Sequence, residues 1–356
     1  MSDPSVSRER RRFLQASFAA AAAVTIAPDS SGAAGPDGKP LPTRPFGKTG
    51  RTLPVLGMGG SAMVDRWASA YGVKLPSRAD RAAIVRYAYD QGTRYFDTAR
   101  VYGESESIVG QGLKGVRDQV FLATKVAVVN PAQVRQSLEE SLKQLDTSYA
   151  DLVQIHSPAI EALGFAGAMR IHAELVKLRD QKLLRFIGLT THVAFETVAR
   201  MIATGGFDQV LLAYGYFNKG MDTLLSHRNL EWRELCLARA HEQGMAIVAM
   251  KVLGASIFGH NAKNLVPDHD PAALERLPGA AIRWVLRDPR VAVLNIGVSL
   301  RSDIDRNLAT LRQDLTFTNG DRLLLADFAR RAYDAEAVTK MKTVGGPYGK
   351  AHVSLC

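Results

Sequence analysis

Short apolar runs alternate with amphipathic segments from residue 55 to residue 311. The apolar runs are nearly continuous, which is typical of strands buried on both faces of a parallel sheet. These eight predicted strands cover residues 55–59, 94–98, 120–125, 152–156, 185–189, 209–213, 246–250 and 291–296. The intervening segments have apolar residues at helical spacing. These eight predicted helices cover residues 81–91, 104–114, 131–145, 168–181, 194–204, 230–243, 271–286 and 302–311.

Eight strands that are each followed by a helix predict a single α/β domain, a (β/α)₈ TIM barrel. An open, doubly wound sheet is the competing architecture, and Gly57-Met58-Gly59-Gly60 superficially resembles its glycine-rich turn. No helix begins there, because a long stretch with Trp67, Tyr71 and Pro76 comes first, so the nucleotide fingerprint fails on context. We predict that this stretch is one lid and that residues 254–271 form a second lid.

The first 35 residues are predicted to lie outside the barrel. Arg10-Arg11-Arg12-Phe13-Leu14 precedes a weakly apolar run at 16–27 and a small-residue stretch at 30–35. This pattern resembles a twin-arginine export signal, which implies the twin-arginine export machinery as a partner and a periplasmic location. A disordered basic tail on a cytoplasmic protein is the alternative. The apolar run is too short and alanine-rich for stable membrane insertion.

Gly and Pro residues and the last helical pattern predict the segments that flank the barrel. Residues 35–52 are predicted to form a linker and a short hairpin around 47–50. We assign residues 36–320 to the barrel and residues 321–356 to a C-terminal helix and tail, with the helix expected over 321–337.

Composition narrows the function classes only slightly. The chain has 356 residues, 46% hydrophobic and 22% charged, which is ordinary for a globular protein. Lys plus Arg exceed Asp plus Glu by ten (45 against 35). Because no basic block lies outside the N-terminus, this surplus favours a phosphate-bearing cofactor or a solvated surface over nucleic acid. Cys236 and Cys356 have no disulfide or metal-ligand spacing, and no metal site is predicted.

Three consecutive predicted strands end in residues that can carry charge. Asp97 ends the second strand, Lys125 the third and His156 the fourth, and Tyr102 follows Asp97 in a loop. Neighbouring strand ends of a barrel meet at one side of its mouth, so we expect these side chains to converge. A buried Lys125 requires a counter-charge, which Asp97 supplies. Its ammonium is expected to lower the pKa of Tyr102 toward neutrality, giving a proton donor beside a histidine that orients a carbonyl oxygen.

This set contains a proton donor but no hydride source, so it requires a nicotinamide cofactor. The segments that carry it, DTARVYGESESIVGQGLK, ATK, LVQIH and GVSLRSDIDRNL, resemble the aldo-keto reductase superfamily over most of residues 42–312. The resemblance implies reduction of an aldehyde or ketone, a small-molecule carbonyl substrate, with NADPH. It assigns Tyr102 as the general acid, Lys125 and Asp97 as the residues that tune it, and His156 as the residue that orients the substrate.

The resemblance also implies a cofactor site. It assigns Thr190, Thr191 and Gln209 to the nicotinamide amide, with Thr191 where many relatives have Asn. It assigns an aromatic ring that stacks on the nicotinamide to Tyr214, in preference to Tyr216. The residues that surround the adenosine phosphate and adenine are then Gly297, Val298, Ser299, Leu300, Asp303 and Asn307. The helix that begins near Ser302 favours an anion at its N-terminus.

Asp303 departs from the family pattern. A carboxylate there would repel the 2′-phosphate of NADP and suit the free ribose hydroxyls of NAD, although Arg301 and Arg306 are near enough to compensate. We therefore expect NADP, with NAD possible. Lys251 ends the seventh strand, where it can reach either cofactor phosphate or solvent.

Two alternative functions use the same residues. One is a non-catalytic nicotinamide-binding sensor or interaction protein built on the same barrel. The other is an aldolase-like barrel in which Lys125 forms a Schiff base. The adjacent Tyr102 and Asp97 favour the reductase over the aldolase.

Overall fold

The chain forms a closed parallel barrel in the computed structural model, which describes residues 40–65, 68 and 73–344. The described strands are β1 (Thr43–Pro45), β2 (Thr52–Pro54), β3 (Leu56–Gly59), β4 (Tyr95–Asp97), β5 (Phe121–Val126), β6 (Ala150–Ile155), β7 (Leu184–Thr191), β8 (Gln209–Ala213), β9 (Thr223–Leu225), β10 (Ala246–Met250), β11 (Val291–Gly297) and β12 (Lys342–Val344). Strands β3 to β8, β10 and β11 pair in sequence order, and β11 closes on β3. All eight predicted barrel strands and the predicted TIM-barrel fold are confirmed.

Helices cover the outside of the barrel. The described α-helices are α1 (Arg78–Asp90), α2 (Ser105–Gly112), α3 (Val134–Gln144), α4 (Ser157–Asp180), α5 (Phe195–Ile202), α6 (His227–Glu242), α7 (Ala262–Leu265), α8 (Pro271–Leu286), α9 (Arg301–Leu311), α10 (Asn319–Asp334) and α11 (Glu336–Thr339). Short 3₁₀ turns occupy Gly47–Thr49, Gly60–Met63, Arg117–Gln119 and Pro131–Gln133. Side-chain caps define several starts: Ser77 Oγ accepts from Asp80 N at α1, and Ser226 Oγ accepts from Asn229 N at α6.

Strands β1 and β2 form an antiparallel hairpin at the N-terminal end of the barrel, as predicted. Phe46, at the tip of the hairpin, is fully buried, with its ring centroid 4.8 Å from that of Phe121 and 5.6 Å from that of Tyr95. Lys48 N also donates to Gly244 O before β10. Phe46 of the hairpin therefore packs with Tyr95 and Phe121 at the lower end of the barrel, opposite the cleft at the carboxyl ends of the strands.

One helix begins far from its predicted start, whereas the other starts agree within about three residues. Helix α4 begins at Ser157, not at residue 168, and has a break at Gly164, where φ is +60°. Pro158 occupies the first turn, where its missing N–H is not needed. The amphipathic pattern missed this start because the first turn of α4 lies at the ligand end of the barrel, where its polar residues serve the site.

The C-terminal helix packs on the barrel. Phe328 and Leu325 of α10 are fully buried against Leu277 of α8 and against Phe258 from the second predicted lid. Phe258 therefore anchors its loop in the hydrophobic core. Trp67 and Tyr71 of the first predicted lid lie outside the described residues, as do the twin-arginine segment and residues 345–356.

Candidate active site

A buried ion pair stands at the centre of the ligand end of the barrel. Lys125 Nζ donates to Asp97 Oδ1 and, at 2.8 Å, to Thr98 O. The second carboxylate oxygen of Asp97 accepts from Gln154 Nε2 at 2.7 Å. Lys125 is 1% exposed and Asp97 is 2% exposed. The predicted pairing of these two side chains is therefore present, and the neighbouring strands β4, β5 and β6 supply Asp97, Lys125 and Gln154.

The strand alternation explains why this pair points inward. Tyr95 packs in the interior cluster of the barrel, whereas Phe96 packs among the outer helices. Asp97 follows with the interior orientation, because alternate residues of a strand share a face. Burial by itself lowers the pKa of Lys125, but Asp97 and Tyr102 together outweigh burial and raise it. Lys125 is therefore a permanent ammonium at neutral pH.

Tyr102 lies beside this ammonium. Lys125 Nζ is 5.0 Å from the centroid of the Tyr102 ring, and the Tyr102 hydroxyl is 3.5 Å from His156 Nε2. Burial raises the pKa of the Tyr102 phenol, and the opposing effect of Lys125 does not overcome it. The expectation that Lys125 moves this pKa toward neutrality is therefore wrong for the chain without a ligand, because desolvation of a phenolate exceeds the attraction of the ammonium.

His156 is an uncharged imidazole at neutral pH. Burial, with a smaller effect of Lys125, lowers the pKa of His156 to about 3. Its Nε2 faces Tyr102, and its buried Nδ1 has no hydrogen-bond partner among the described residues. The Tyr102 hydroxyl and a neutral imidazole therefore present adjacent hydrogen-bonding atoms to one point, the arrangement expected for binding a carbonyl oxygen.

Unpaired polar atoms line the barrel next to this point. Gln209 is fully buried, and neither its Nε2 nor its Oε1 has a hydrogen-bond partner among the described residues. A Cβ on Gly188 would lie 2.2 Å from Gln209 Oε1, so only glycine leaves room for this amide. Gln154 Oε1 and Asn295 Oδ1 are also buried and unpaired in the described chain. Buried amides without partners are rare in folded proteins, so these atoms fit a polar ligand group such as a carboxamide.

The two predicted threonines at the end of β7 differ in their contacts, and a histidine of the cleft follows them. Thr190 Oγ1 accepts from Ser157 N at 2.8 Å, whereas Thr191 Oγ1 is buried without a partner in the described chain. His192 lines the cleft, is 7% exposed and has an unpaired buried Nδ1. Burial, then Lys251, lowers the pKa of His192 well below its usual value. The sequence analysis missed His192 because a single histidine after a strand belongs to no recognisable motif. The signal available was that it directly follows Thr190 and Thr191.

A cleft runs from the reaction centre toward β11. It contains about 1010 Å³ of space, including open solvent at its mouth. Asp97 and Tyr102 line one end, and Arg306 and Asn307 of α9 line the other. The loop after β10, in the second predicted lid, forms one wall. Its length and polar ends suit an extended ligand with a small reactive group in the barrel.

The predicted adenosine residues divide into two groups. Gly297, Ser299, Asp303 and Asn307 line the cleft. Val298 instead packs in the hydrophobic core. Leu300 does not line the cleft either, and its backbone N–H donates to Asp303 Oδ2.

Tyr214 is misplaced in the sequence prediction. Its hydroxyl donates to Asp288 Oδ2 at 2.9 Å, and its ring packs on Trp284, 5.3 Å between centroids. Tyr214 therefore lies between the barrel and the outer helices, outside the residues that line the cleft. Tyr216 packs on Trp284 as well. At the adjacent strand end, Met250 lines the cleft in place of the expected aromatic ring.

Asp303 is more fully engaged than its position in the sequence suggests. Its Oδ2 accepts from Ser299 N and Leu300 N, each at 3.0 Å, which caps α9. Its Oδ1 accepts from His260 Nε2 at 2.7 Å, and Arg306 lies 3.9 Å away. Burial raises the pKa of Asp303, but these partners outweigh burial and lower it. The carboxylate is therefore charged, and its oxygens are occupied by hydrogen bonds within the chain.

The described residues contain neither a metal-binding cluster nor a membrane-spanning helix. No group of three or more His, Cys, Asp or Glu side chains in residues 40–65, 68 and 73–344 is arranged to hold a metal ion. None of the helices in these ranges combines the length and apolar character needed to cross a bilayer.

Comparison with known proteins gives a consistent family match. Residues 55–319 match the sequence model of the aldo/keto reductase family. The chain is 25% identical over 300 residues to L-galactose dehydrogenase of Arabidopsis thaliana, covering 76% of this chain and 88% of that protein. It is 27% identical over 256 residues to a methylglyoxal reductase of Yersinia pestis, covering 69% and 86% respectively.

A solved structure supports the fold. An aldo-keto reductase of Bacillus halodurans in its holo form superposes with a TM-score of 0.58 at 19% identity, covering 83% of this chain and 97% of that one. At this identity the likeness concerns the barrel alone.

Proposed function

The chain belongs to the aldo/keto reductase family, and on this basis we propose that it reduces an aldehyde or ketone to an alcohol with NADPH, Tyr102 donating the proton. The observation that carries the proposal is the Tyr102 hydroxyl, held 3.5 Å from a neutral His156 and beside the Lys125 ammonium at the end of a long cleft. A non-catalytic sensor would not require an ion pair buried under a phenol.

Tyr102, Lys125 and His156 have different roles in the proposed proton transfer. Tyr102 keeps its proton at neutral pH because burial raises the pKa of the phenol. As that proton moves to the carbonyl oxygen, negative charge appears on the phenol oxygen. The Lys125 ammonium, fixed by Asp97, then stabilises this charge without having to reorganise. Neutral His156, protonated on Nε2, donates this N–H to the carbonyl oxygen and fixes it beside the Tyr102 hydroxyl.

The cofactor supplies the hydride when bound. Gln209 and Thr191 would hold its carboxamide, since their buried polar atoms have no partner in the described chain. Ser299 and Asn307 would face its adenosine end. We propose NADP ahead of NAD, because the oxygens of Asp303 already accept hydrogen bonds within the chain and Arg306 lies 3.9 Å from Oδ1.

The substrate is proposed to be a small polar carbonyl compound. Two relatives are named for methylglyoxal and for L-galactose. The first substrate panel should therefore contain methylglyoxal, simple aldehydes, ketones and, in the oxidative direction, L-galactose.

Replacing Tyr102 by Phe tests the mechanism. We expect kcat/KM for carbonyl reduction to fall about 10²–10⁴-fold, the usual contribution of a positioned general acid. The dissociation constant of NADPH, measured by fluorescence titration, should change less than about twofold, since the ring remains. Retention of most activity with normal NADPH binding would refute Tyr102 as the donor. NADPH binding by the native chain without turnover across the panel would favour the sensor.

Replacing Asp303 by Asn tests the cofactor preference. The amide oxygen can still accept from Ser299 N and Leu300 N, so the cap is retained while the charge is lost. We expect the dissociation constant of NADP to fall relative to that of NAD. The change should be less than about tenfold, because Arg306 already offsets part of the Asp303 charge. An unchanged ratio of the two dissociation constants would remove Asp303 from the explanation.

We also propose that the chain is exported through the twin-arginine route to the periplasm. The support is the Arg10 to Leu14 motif and the apolar run that follows it. Changing Arg10 and Arg11 together to Lys should leave the protein in the cytoplasmic fraction. A periplasmic location of that variant, or a cytoplasmic location of the native chain, would contradict the proposal.

A further inference from the structure

His192, which directly follows β7, is a second histidine at the reaction end of the cleft. It is 7% exposed and lines the cleft together with Asp97 and Tyr102. Its Nδ1 is buried without a hydrogen-bond partner among the described residues. No hydrogen bond from a described residue reaches its Nε2 either, but this atom is not closed off from solvent. Nε2 is therefore the ring nitrogen that a ligand in the cleft can reach.

Hydrogen bonds fix the backbone of His192 relative to His156. Ser157, which directly follows His156, donates its backbone N–H to Thr190 Oγ1 at 2.8 Å. The Ser157 hydroxyl accepts from His192 N at 3.1 Å and donates to Glu161 Oε1 at 2.6 Å. These bonds join the end of β7 to the start of α4 at two points. The two histidines therefore stand on strand ends that are held together before any substrate binds.

His192 is an uncharged imidazole at neutral pH. Burial lowers the pKa of its ring well below the usual value, and the nearby Lys251, His156 and Lys125 lower this pKa further. A neutral imidazole carries one N–H donor and one acceptor nitrogen. A hydroxyl group both donates and accepts, so it can pair with Nε2 in either tautomer of the ring. An oxygen without a proton can pair with only one of the two tautomers.

The surroundings of His192 leave it as the polar contact for a second oxygen of the substrate. In the proposed reaction Tyr102 and His156 bind the reacting carbonyl oxygen. Leu211 and Met250, which line the same part of the cleft, offer it apolar surface. His156 and His192 follow β6 and β7, which are paired neighbours in the barrel. Neighbouring strands lie only about 4.8 Å apart, so groups bound at their two ends must be close together on the substrate.

We propose that His192 is a specificity-determining residue whose Nε2 binds a hydroxyl on the carbon next to the reacting carbonyl. The proposal deepens the proposed function and rests on it, and it makes α-hydroxy aldehydes and α-hydroxy ketones the preferred substrate class. No bond is made or broken at this hydroxyl. Its hydrogen bond to His192 holds the substrate in one orientation, in which the carbonyl oxygen meets Tyr102 and His156 together.

Variants of His192 test the site with two substrates of nearly the same shape. Hydroxyacetone and butanone differ only in a hydroxyl that replaces a methyl group. His192→Leu should lower the ratio of kcat/KM for hydroxyacetone to that for butanone at least about tenfold, the effect of one lost hydrogen bond in a desolvated site. His192→Gln, whose amide reaches the position of Nε2, should restore most of the ratio. His241→Leu is the matched control, because His241 is exposed in the last turn of α6, and it should change the ratio less than about twofold.

A titration with NADPH separates a contact to the substrate from a contact to the cofactor. The dissociation constant of NADPH, measured by fluorescence, should change less than about twofold in His192→Leu. Weaker NADPH binding with an unchanged substrate ratio would show that His192 holds the cofactor, which overturns the proposal. An unchanged substrate ratio with normal NADPH binding would overturn it as well.

Because a variant can misfold, the native chain is also tested. The kcat/KM for each ketone is divided by the rate at which borohydride reduces that ketone in solution, which corrects for intrinsic reactivity. The corrected value for hydroxyacetone should exceed that for butanone at least about tenfold. Equal corrected values count against the site.

Failure of the site and failure of the reductase proposal are distinguishable. Saturation-transfer NMR detects hydroxyacetone bound to the chain in the presence of oxidised NADP, which has no hydride to give. A bound signal that disappears in His192→Leu, in a chain that reduces no carbonyl compound, keeps the site and refutes the reductase. Normal reduction of both ketones with no effect of His192→Leu does the reverse.

Discussion

The buried pair of Lys125 and Asp97 predicts a strong thermodynamic coupling. Replacing Lys125 by Met removes the ammonium but leaves the carboxylate of Asp97, 2% exposed, with Gln154 Nε2 at 2.7 Å as its nearest donor. Replacing Asp97 by Asn leaves the ammonium with Thr98 O at 2.8 Å. Breaking a buried pair on one side usually costs about 3–5 kcal/mol of unfolding free energy, because the remaining charge is uncompensated.

The double variant should be much less unstable than the sum of the single variants. With both charges removed, no buried ion remains, and what is lost is mainly hydrogen bonding and packing, about 1–3 kcal/mol. The coupling energy between Lys125 and Asp97 should therefore exceed about 2 kcal/mol. The same cycle on the exposed pair Arg135 and Glu139, whose atoms are 3.1 Å apart, should give less than about 0.5 kcal/mol.

Guanidinium unfolding at pH 7, followed by tryptophan fluorescence, measures all the variants with one assay. Equal m-values would show that the surface exposed on unfolding is unchanged. If the losses at Lys125 and Asp97 add within about 0.5 kcal/mol, the two charges do not compensate each other and the account of the site is incorrect.

Three further predictions follow from individual contacts. Between pH 6.5 and about pH 3, His156 binds a proton in the unfolded chain but not in the folded one. The unfolding free energy should therefore decrease as the pH falls below 6.5, by up to about 1.4 kcal/mol per pH unit. His156→Gln should reduce this slope, measured by denaturation at a series of pH values. Gly188→Ala places a Cβ against Gln209 Oε1 and should weaken NADPH binding at least about tenfold in fluorescence titration, whereas Gly320→Ala should leave it unchanged. Tyr214→Phe should cost about 1 kcal/mol in denaturant unfolding, because the buried Asp288 carboxylate loses one donor and keeps Arg290, while NADPH binding is kept.

Each of these predictions has a contradicting outcome. An unaltered acid slope in His156→Gln would show that another group carries the acid sensitivity. Normal NADPH affinity in Gly188→Ala would separate Gln209 from the cofactor. Weakened NADPH affinity in Tyr214→Phe, with stability unchanged, would restore Tyr214 to the cofactor site.

The sequence alone predicted the barrel and the position of the four central residues. Apolar runs and helical spacing depend on neighbours within a few residues, so the eight strands could be recognised. Asp97, Lys125 and His156 stand at strand ends, and parallel strands of a barrel bring those ends together. Their proximity to Tyr102 therefore followed from chain order.

The features that the sequence did not predict depend on contacts between distant segments. Tyr214 turns toward Asp288, 74 positions away, because a buried hydroxyl requires a partner that chain order does not reveal. His260 forms a hydrogen bond with Asp303 across 43 positions.

Electrostatic balance was also decided by the tertiary structure. The sign of the pKa shift at Tyr102 depends on how fully its surroundings exclude water compared with how near Lys125 lies. Local pattern determined which residues stand at the mouth of the barrel, whereas desolvation and long-range contacts, which exist only in the folded chain, determined their charge, orientation and partners.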